Sequence, residues 1–328
     1  MENDFLKVVN KFAKTNVIVI GDVMIDSYLW GSVTRISPEA PIPVVNTTKR
    51  ELRLGGAANV ALNIKSLGAK PILCSVIGNE AHGVDFKRLL FESELTDEGI
   101  VIDSERITTI KHRVISGSQH LLRVDEEDTK PLRQEISEKL FTKIARLVSK
   151  HNSGAIIFED YDKGVITPWL IKNVVSLAKS EKIPILVDPK KRNFLEYKDV
   201  DVFKPNFKEL CEGTNSVIAK NDFQGIFEAD KKLRKILNHK FGFITLSENG
   251  VFLSDGTEYE RFPSNIREVT DVSGAGDTVI ATVSLCLAAG MDMISASKIA
   301  NIAGGLVCER VGVVPVDINL LINRIKSL

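Results

Sequence analysis

Neither sign of charge is in excess: 43 Lys plus Arg stand against 43 Asp plus Glu in 328 residues. A partner held by bulk electrostatics, nucleic acid above all, normally requires a basic surplus, so no nucleic-acid partner is expected. No CxxC pair occurs, and no Cys/His cluster has zinc spacing. The four cysteines, Cys74, Cys211, Cys286 and Cys308, are scattered, and the contexts ILCSV and LCLAA mark small core residues of a reducing compartment. The N-terminal MENDFLKVVNKFAKTN carries acidic residues and no uninterrupted apolar run, so it is not expected to act as a signal peptide. The longest mostly apolar stretch, residues 279–290, is too short to span a bilayer. A cytoplasmic protein with no membrane partner is expected. Repeats and low-complexity segments are also lacking.

What is present is an ordinary globular composition, 44% apolar and 26% charged. The length allows two domains or one large α/β unit with a core that needs no staples. Short, nearly continuous apolar runs occur at 17–21 (VIVIG), 71–76 (PILCSV), 155–158 (AIIF), 184–187 (PILV), 200–203 and 242–246 (GFITL). Such runs fit strands buried on both faces, as in a parallel sheet covered by helices. Helical stretches lie between them, for example 57–67, 135–150 and 168–182. Alternation of this kind predicts an α/β doubly wound sheet with right-handed crossovers. Segments 42–50 and 107–124 break the rhythm as exposed strands of mixed polarity. The second carries the turn signal Ser116-Gly117-Ser118 and reads as a hairpin. Together they are expected to form a small β-flap, either a decorative insertion or a lid.

Ligands of open α/β sheets bind beyond the carboxyl ends of the strands. One step past the proposed strands stand Asp22 and Asp26; Glu159, Asp160 and Lys163; Asp188 and Lys190; Lys204, Asn206 and Glu209; Ser247 and Glu248. One such residue would be a turn former or helix cap. Five strand ends of this kind predict one polar site along one sheet edge, provided the strands are parallel.

Three local patterns sharpen this. DVSGAGDT at 271–278 precedes an apolar stretch of helical length. Small residues there leave the first helix N–H groups open to an anion, typically phosphate. Asp277 then stands at the helix start, either as a capping carboxylate or as a general base beside that cradle. The pattern is neither a Walker A loop nor GxGxxG. In GGAANVA, Gly55 and Gly56 permit close backbone approach, and Asn59 can offer a donor and an acceptor to a hydroxyl or act as a cap. Lys111 and Arg113, on one strand face, and Arg123 suit an anionic substrate or guard an edge strand.

DVSGAGDT, GGAANVA and the NxxE segment Asn206-Phe207-Lys208-Glu209, in the chain, resemble the ribokinase (PfkB) family of carbohydrate kinases nearly end to end. A narrower likeness lies in GDVMIDSYLWG, RISPEAPIPVV, GGAANVALNI, DYDKG (160–164), VDPK (187–190) and DVSGAGDTVIA, which look like the D-glycero-β-D-manno-heptose-7-phosphate kinases of ADP-heptose and lipopolysaccharide-core synthesis. The resemblance implies one ribokinase-like kinase domain over 1–328, with a lid from about 33–50 and 105–125. It implies Asp277 as the base, and Gly274, Ala275 and Gly276 as the anion hole. Asn206, Phe207, Lys208, Glu209, Thr245, Ser247, Gly250 and Asn301 would bind ATP, with Glu209 acting on Mg²⁺ through water. Asp22, Asp26, Gly55, Gly56 and Asn59 would hold the sugar, and Lys111, Arg113 and Arg123 its 7-phosphate. Asp160, Lys163, Asp188 and Lys190 would lie near Mg-ATP. A small-molecule sugar phosphate, room for a monovalent cation, and a homodimer joined through the flaps complete the implication.

The departures are Ser273 where Thr is commoner, and Lys191-Arg192 after VDPK where Gly is usual. Many relatives also carry a nucleotidyltransferase domain with an HxGH motif. None of His82, His112, His120, His151 and His239 forms one, so adenylyltransferase activity is not expected. The alternatives are another sugar kinase of the family (for a ketohexose phosphate, ribose or ketodeoxy acid) or a silent nucleotide-binding scaffold. A dinucleotide dehydrogenase is disfavoured by the missing GxGxxG.

Overall fold

Buried runs of four to six residues between amphipathic helices form one sheet, because every helix must cover apolar surface and every strand must pair its backbone. In the computed structural model, which describes residues 2–117, 119–264, 270–310 and 312–327, the chain opens with α1 (Glu2–Phe12), β1 (Asn16–Gly21), β2 (Val23–Ile36) and β3 (Pro43–Gly56). There follow α2 (Ala57–Ser66), β4 (Lys70–Ile77), α3 (Ala81–Glu92), β5 (Ile100–Ile102), β6 (Thr109–Ser116) and β7 (Gln119–Glu126). The middle comprises α4 (Gln134–His151), β8 (Ala155–Glu159), α5 (Pro168–Glu181), β9 (Ile185–Asp188), β10 (Val202–Phe203), α6 (Phe207–Thr214), α7 (Phe223–Leu237) and β11 (Phe241–Thr245). The chain closes through β12 (Val251–Ser254), β13 (Tyr259–Phe262), α8 (Ala275–Ala288), α9 (Met293–Cys308) and α10 (Ile318–Lys326).

The main sheet has the order β13-β12-β11-β10-β9-β8-β1-β4-β5. All strands from β11 to β5 are parallel, and β12 and β13 add an antiparallel edge. Alternate residues of β1 feed two apolar layers. Val17 and Val19 join Val60, Ile280 and Ile299 of α2, α8 and α9, whereas Ile18 and Ile20 join Leu140, Leu170 and Leu233 of α4, α5 and α7. Strand order reverses between β1 and β8, so their carboxyl ends open a crevice where ligands of such sheets bind. The predicted doubly wound sheet with helices on both faces is therefore present. No helix of the described residues is long and apolar enough to cross a membrane.

A second sheet, of order β3-β2-β6-β7, stands apart from the first. Its strands reach from 23 to 36, 43 to 56, 109 to 116 and 119 to 126, further toward the body than the expected 33–50 and 105–125. The difference lies in β2. The sequence reading ends a strand at Gly21 and treats Asp26 as a residue beyond it, but Asp26 is within β2, paired with Arg53 and Lys111. The inner half of β2 is buried on both faces, so it shows no alternation to mark it as a strand. The hairpin of β6 and β7 turns at Gly117. Ser118, part of the predicted turn signal, lies outside the described residues.

Candidate active site

Helix α8 begins at the crevice. Its N-cap is Gly274, with φ 79°, a left-handed conformation that favours glycine. A Cβ there would come within 3.1 Å of Asn59 Nδ2. The first amide bonded inside the helix is Thr278 N, to Gly274 O at 3.0 Å. The amides of Gly276 and Asp277, just before it in the first turn, thus have no intrahelical acceptor and face the N-terminal end. Ala275 N makes only a turn contact, 3.3 Å from Val272 O.

Asp277 follows in the first turn and is 6% exposed. Both its oxygens accept: Asn59 Nδ2 donates to Oδ2 at 2.7 Å, and Tyr161 Oη donates to Oδ1 at 3.0 Å. Asn59 reaches it because GGAANVALN folds as α2, which places Asn59 and Asn63 four residues apart on one face toward α8. Asn63 Oδ1 accepts from Thr278 Oγ1 at 2.9 Å beside the first contact. Burial pushes the Asp277 carboxyl up to about 6; the Asn59 and Tyr161 bonds hold it from going higher, and the Asp188 charge adds to the rise.

Carboxylate oxygens of Glu159, Asp188 and Asp277 all lie within 4.8 Å of one another. Glu159 ends β8 and Asp188 ends β9, adjacent parallel strands that place their terminal side chains side by side. Two lysines balance them. Lys204 Nζ is 2.6 Å from Asp188 Oδ2, and Lys190 Nζ is 3.6 Å from Asp188 Oδ1 and 2.6 Å from Glu209 Oε1. Burial alone would raise Asp188, but the two lysines outweigh it and hold the carboxyl below its ordinary value. Burial pushes Glu159 well above its ordinary range, and the Asp188 and Asp277 charges add to that. Glu159 Oε2 is buried with no hydrogen-bond partner.

A cavity of about 420 Å³ opens onto this cluster, within the size range of small-ligand sites. Tyr161, Asp188, Lys190, Lys204, Gly276 and Asp277 form one end. Asn206, Glu209, Thr245, Ser247, Gly250 and Asn301 line the rest, so the structure brings these predicted residues together. The NxxE segment is a reciprocal capping box of α6. Asn206 Oδ1 accepts from Glu209 N at 2.9 Å, and Glu209 Oε2 accepts from Asn206 N at 2.8 Å. Phe207 and Lys208 do not line the cavity, which corrects their expected place in the ATP site. Phe207 packs on the core, and Lys208 points to solvent beside Glu212. Helical geometry turns these middle residues away from the face that Asn206 and Glu209 present.

Other expectations are corrected by long-range bonding. Asp22 is fully buried and spends its carboxylate on backbone: Tyr161 N and Lys163 N donate to Oδ2 at 2.8 and 3.1 Å, and Val165 N to Oδ1 at 2.9 Å. It secures the 161–165 loop rather than a sugar hydroxyl. Asp160 likewise turns inward, accepting from Tyr197 Oη at 2.6 Å and Asn193 Nδ2 at 3.1 Å, and burial lifts it to about 6. Lys163 Nζ pairs with Glu127 at 2.9 Å. Neither Asp160 nor Lys163 lines the cavity. On the flap side, Asp26 Oδ1 accepts from Arg113. A Cβ on Gly55 would meet Asp26 Oδ2 at 2.6 Å, so this glycine makes room for that carboxylate. Gly56 caps α2 with φ 61°. Lys111 pairs with Asp125 at 2.9 Å and with Glu127 at 3.3 Å, and the largely exposed Arg123 pairs with Asp125 at 3.0 Å.

The sequence reading places Glu159 and Lys204 on the polar edge without giving either a role, and does not single out Tyr161. Tyr161 stands in the DYDKG motif, but nothing in its spacing points it at Asp277, because the Asp22 anchor turns its loop that way. Removing the Tyr161 hydroxyl removes a donor that favours ionised Asp277. Tyr161→Phe is therefore expected to move the acid limb of kcat/KM to higher pH, by about one to two units for a charge-assisted hydrogen bond of about 1.5–3 kcal/mol. A pH–rate profile of both proteins checks it, and an unchanged or lowered midpoint would count against that bond.

Residues 14–318 match the model for "pfkB family carbohydrate kinase". A bifunctional protein HldE of Sulfurimonas denitrificans is 39% identical over 96% of this chain. Another, of Campylobacter curvus, is 40% identical over 91%. The matches span 65% and 62% of those relatives, so this chain corresponds to under two thirds of their length. Among solved structures, phosphofructokinase-2 from Escherichia coli in complex with potassium superposes with a TM-score of 0.76 over 95% of this chain and 98% of that one, at 17% identity. Arabidopsis thaliana ribokinase complexed with ribose and ATP gives 0.72 over 94% and 98%, at 18% identity. The fold is thus ribokinase-like, and with the family match covering nearly all of the chain, the protein belongs to the pfkB family of carbohydrate kinases.

Proposed function

We propose that this chain is an ATP-dependent kinase that phosphorylates O1 of D-glycero-β-D-manno-heptose 7-phosphate to the 1,7-bisphosphate. The observation that carries the kinase reading is Asp277 at the open end of α8, with a raised pKa, in the wall of a cavity that also presents Lys190 and Lys204. The sugar rests on GDVMIDSYLWG and RISPEAPIPVV and on the likeness to the HldE proteins.

The residues fit ATP and Mg²⁺. The cavity is large enough, its end presents Lys190 and Lys204 beside Asp188 and Asp277, and Glu159 Oε2 is an orphaned buried oxygen beside Asp188. Hard oxygen donors of this kind suit Mg²⁺; Asp188 and Glu159 would hold it, with Glu209 placed to act through water. Bound there, the ion would supply charge neutralisation on the phosphates. Asp277 takes the proton of the attacking hydroxyl. The α8 amides and the two lysines stabilise charge on the phosphoryl oxygens, and positioning does most of the remainder. Asn59 Oδ1, buried and without a partner, is an acceptor available to a sugar hydroxyl. Asp26 and Arg113, with Lys111 beside them, supply the sugar-phosphate end. The potassium of the phosphofructokinase-2 structure supports a monovalent-cation site. A homodimer through the flap, in the cytoplasm, belongs to the same reading; Leu122 and Val124 are exposed apolar side chains of that sheet.

The test is a coupled ADP-release assay across sugars with Mg-ATP. Heptose 7-phosphate is expected to give the highest kcat/KM, and the unphosphorylated heptose far less. In Lys111→Ala/Arg113→Ala that preference should shrink by about tenfold or more, as expected for lost charge-assisted bonds of about 1.5–3 kcal/mol. A ketohexose phosphate or ribose turning over faster would transfer the reading to another kinase of the family.

A further inference from the structure

We infer that His82, His112 and Glu126 form a site for a divalent cation of the zinc class, which would tie the flap sheet to the body of the enzyme. One ligand atom from each lies within 4.8 Å of the others. His112 Nε2 is 3.2 Å from Glu126 Oε1, and His82 Nε2 is 3.8 Å from Glu126 Oε2. Two neutral imidazoles and a carboxylate are a familiar donor set for zinc and related first-row metals, with further positions left for water. The side chains are 30%, 25% and 52% exposed, so a metal can enter and complete its shell from solvent.

Three separate elements supply the donors, and the fold holds them in place. Strands β6 and β7 pair Ile110 with Glu126 and His112 with Val124, so His112 and Glu126 are diagonal neighbours on one face. Lys111 and Arg113 project from the opposite face, so this site is distinct from the proposed sugar-phosphate site. His82 comes from the first turn of α3. The N-cap of that helix, Glu80, accepts from Gly83 N at 2.9 Å and also from Thr108 N, just before β6. One carboxylate therefore fixes the start of α3 against the start of β6 and sets His82 opposite His112. The rings meet edge to face, with centroids 6.3 Å apart. His82 Nδ1 is buried without a hydrogen-bond partner, and Nε2, the nitrogen beside Glu126, is the one placed to ligate.

A hard cation belongs at the all-carboxylate cluster, whereas imidazole nitrogens select zinc, cobalt or nickel. The test exploits that difference. Chelator-treated full-length protein is titrated with zinc, and separately with cobalt(II), in excess Mg²⁺, with gel filtration and metal analysis to follow. About one equivalent of zinc should stay with the wild type. Cobalt(II) should give a visible ligand-field spectrum, and zinc should raise the melting temperature. His82→Ala/His112→Ala should lose all three responses while its Mg-ATP turnover and circular dichroism remain those of the folded enzyme. Glu126→Gln, which preserves shape, should bind at least about tenfold more weakly, by comparison with the 10–100-fold cost of changes one shell further out. Equal zinc retention by the double variant would place the metal elsewhere, and no retention by the wild type would reduce the cluster to a hydrogen-bonded contact; either result overturns the inference.

Discussion

Asp277→Asn is expected to lower kcat by at least about a hundredfold while nucleotide affinity stays within a few-fold. The substitution preserves size and can still meet Asn59 or Tyr161, so the fold should stand. What it removes is the capacity to accept a proton. The pH dependence gives a second reading. Burial lifts the Asp277 carboxyl to about 6, and a base acts only when unprotonated. The wild-type kcat/KM should therefore be lost as pH falls through about 6 and be level above it, with the alkaline limb set by other groups. Rapid-quench turnover with nucleotide binding by calorimetry separates the two effects. Near-normal turnover in the variant would remove Asp277 from the role and leave it a helix-end carboxylate.

Lys204→Met should be the most damaging change to the architecture of the site. Lys204 is 3% exposed and is one of two lysines against three clustered carboxylates. Breaking a buried pair by removing one partner costs about 3–5 kcal/mol, because the charge left behind is uncompensated. The pH signs differ between the two proteins. In the wild type Asp188 is held below its ordinary value. Its contribution is fully present above the unfolded-state pKa and is lost as pH falls through the depressed one. Without Lys204, burial dominates and the Asp188 pKa should rise. The variant is then destabilised as pH rises, and its melting temperature should partly recover in mild acid. Thermal melts from pH 5 to pH 8 decide it; a variant as stable as the wild type at pH 8 would show that Lys190 suffices. Turnover should fall as well, since a cation is lost from the proposed phosphate end.

The parts legible in the sequence were those with a local physical signature. Six buried runs announced six parallel strands, since a strand covered on both faces has no alternation to lose. DVSGAGDT and the apolar segment after it announced α8 and its open N-terminus. β2 was illegible, because its buried inner half and exposed outer half share no single period. Hairpin β12–β13 was equally short of signal, at four residues a strand. Among the strand-end residues, Asn206, Glu209, Asp188 and Lys190 line one cavity, because parallel strand ends converge on one edge. Asp22 and Asp160 met the same criterion and serve the framework instead. A strand end delivers a carboxylate to the edge, and whether it faces ligand or loop depends on which amides reach it first.

The sequence by itself determined the layer order, the polar edge and the helix end at which Asp277 sits, because burial pattern and turn chemistry act over a few residues. Only the tertiary structure decided which groups became partners. Asn59 and Tyr161 lie 218 and 116 positions from Asp277. His82, His112 and Glu126 have no zinc spacing at all until the flap folds back on α3. Charge pairing, desolvation and donor geometry depend on distance in space, and spacing along the chain does not encode that distance.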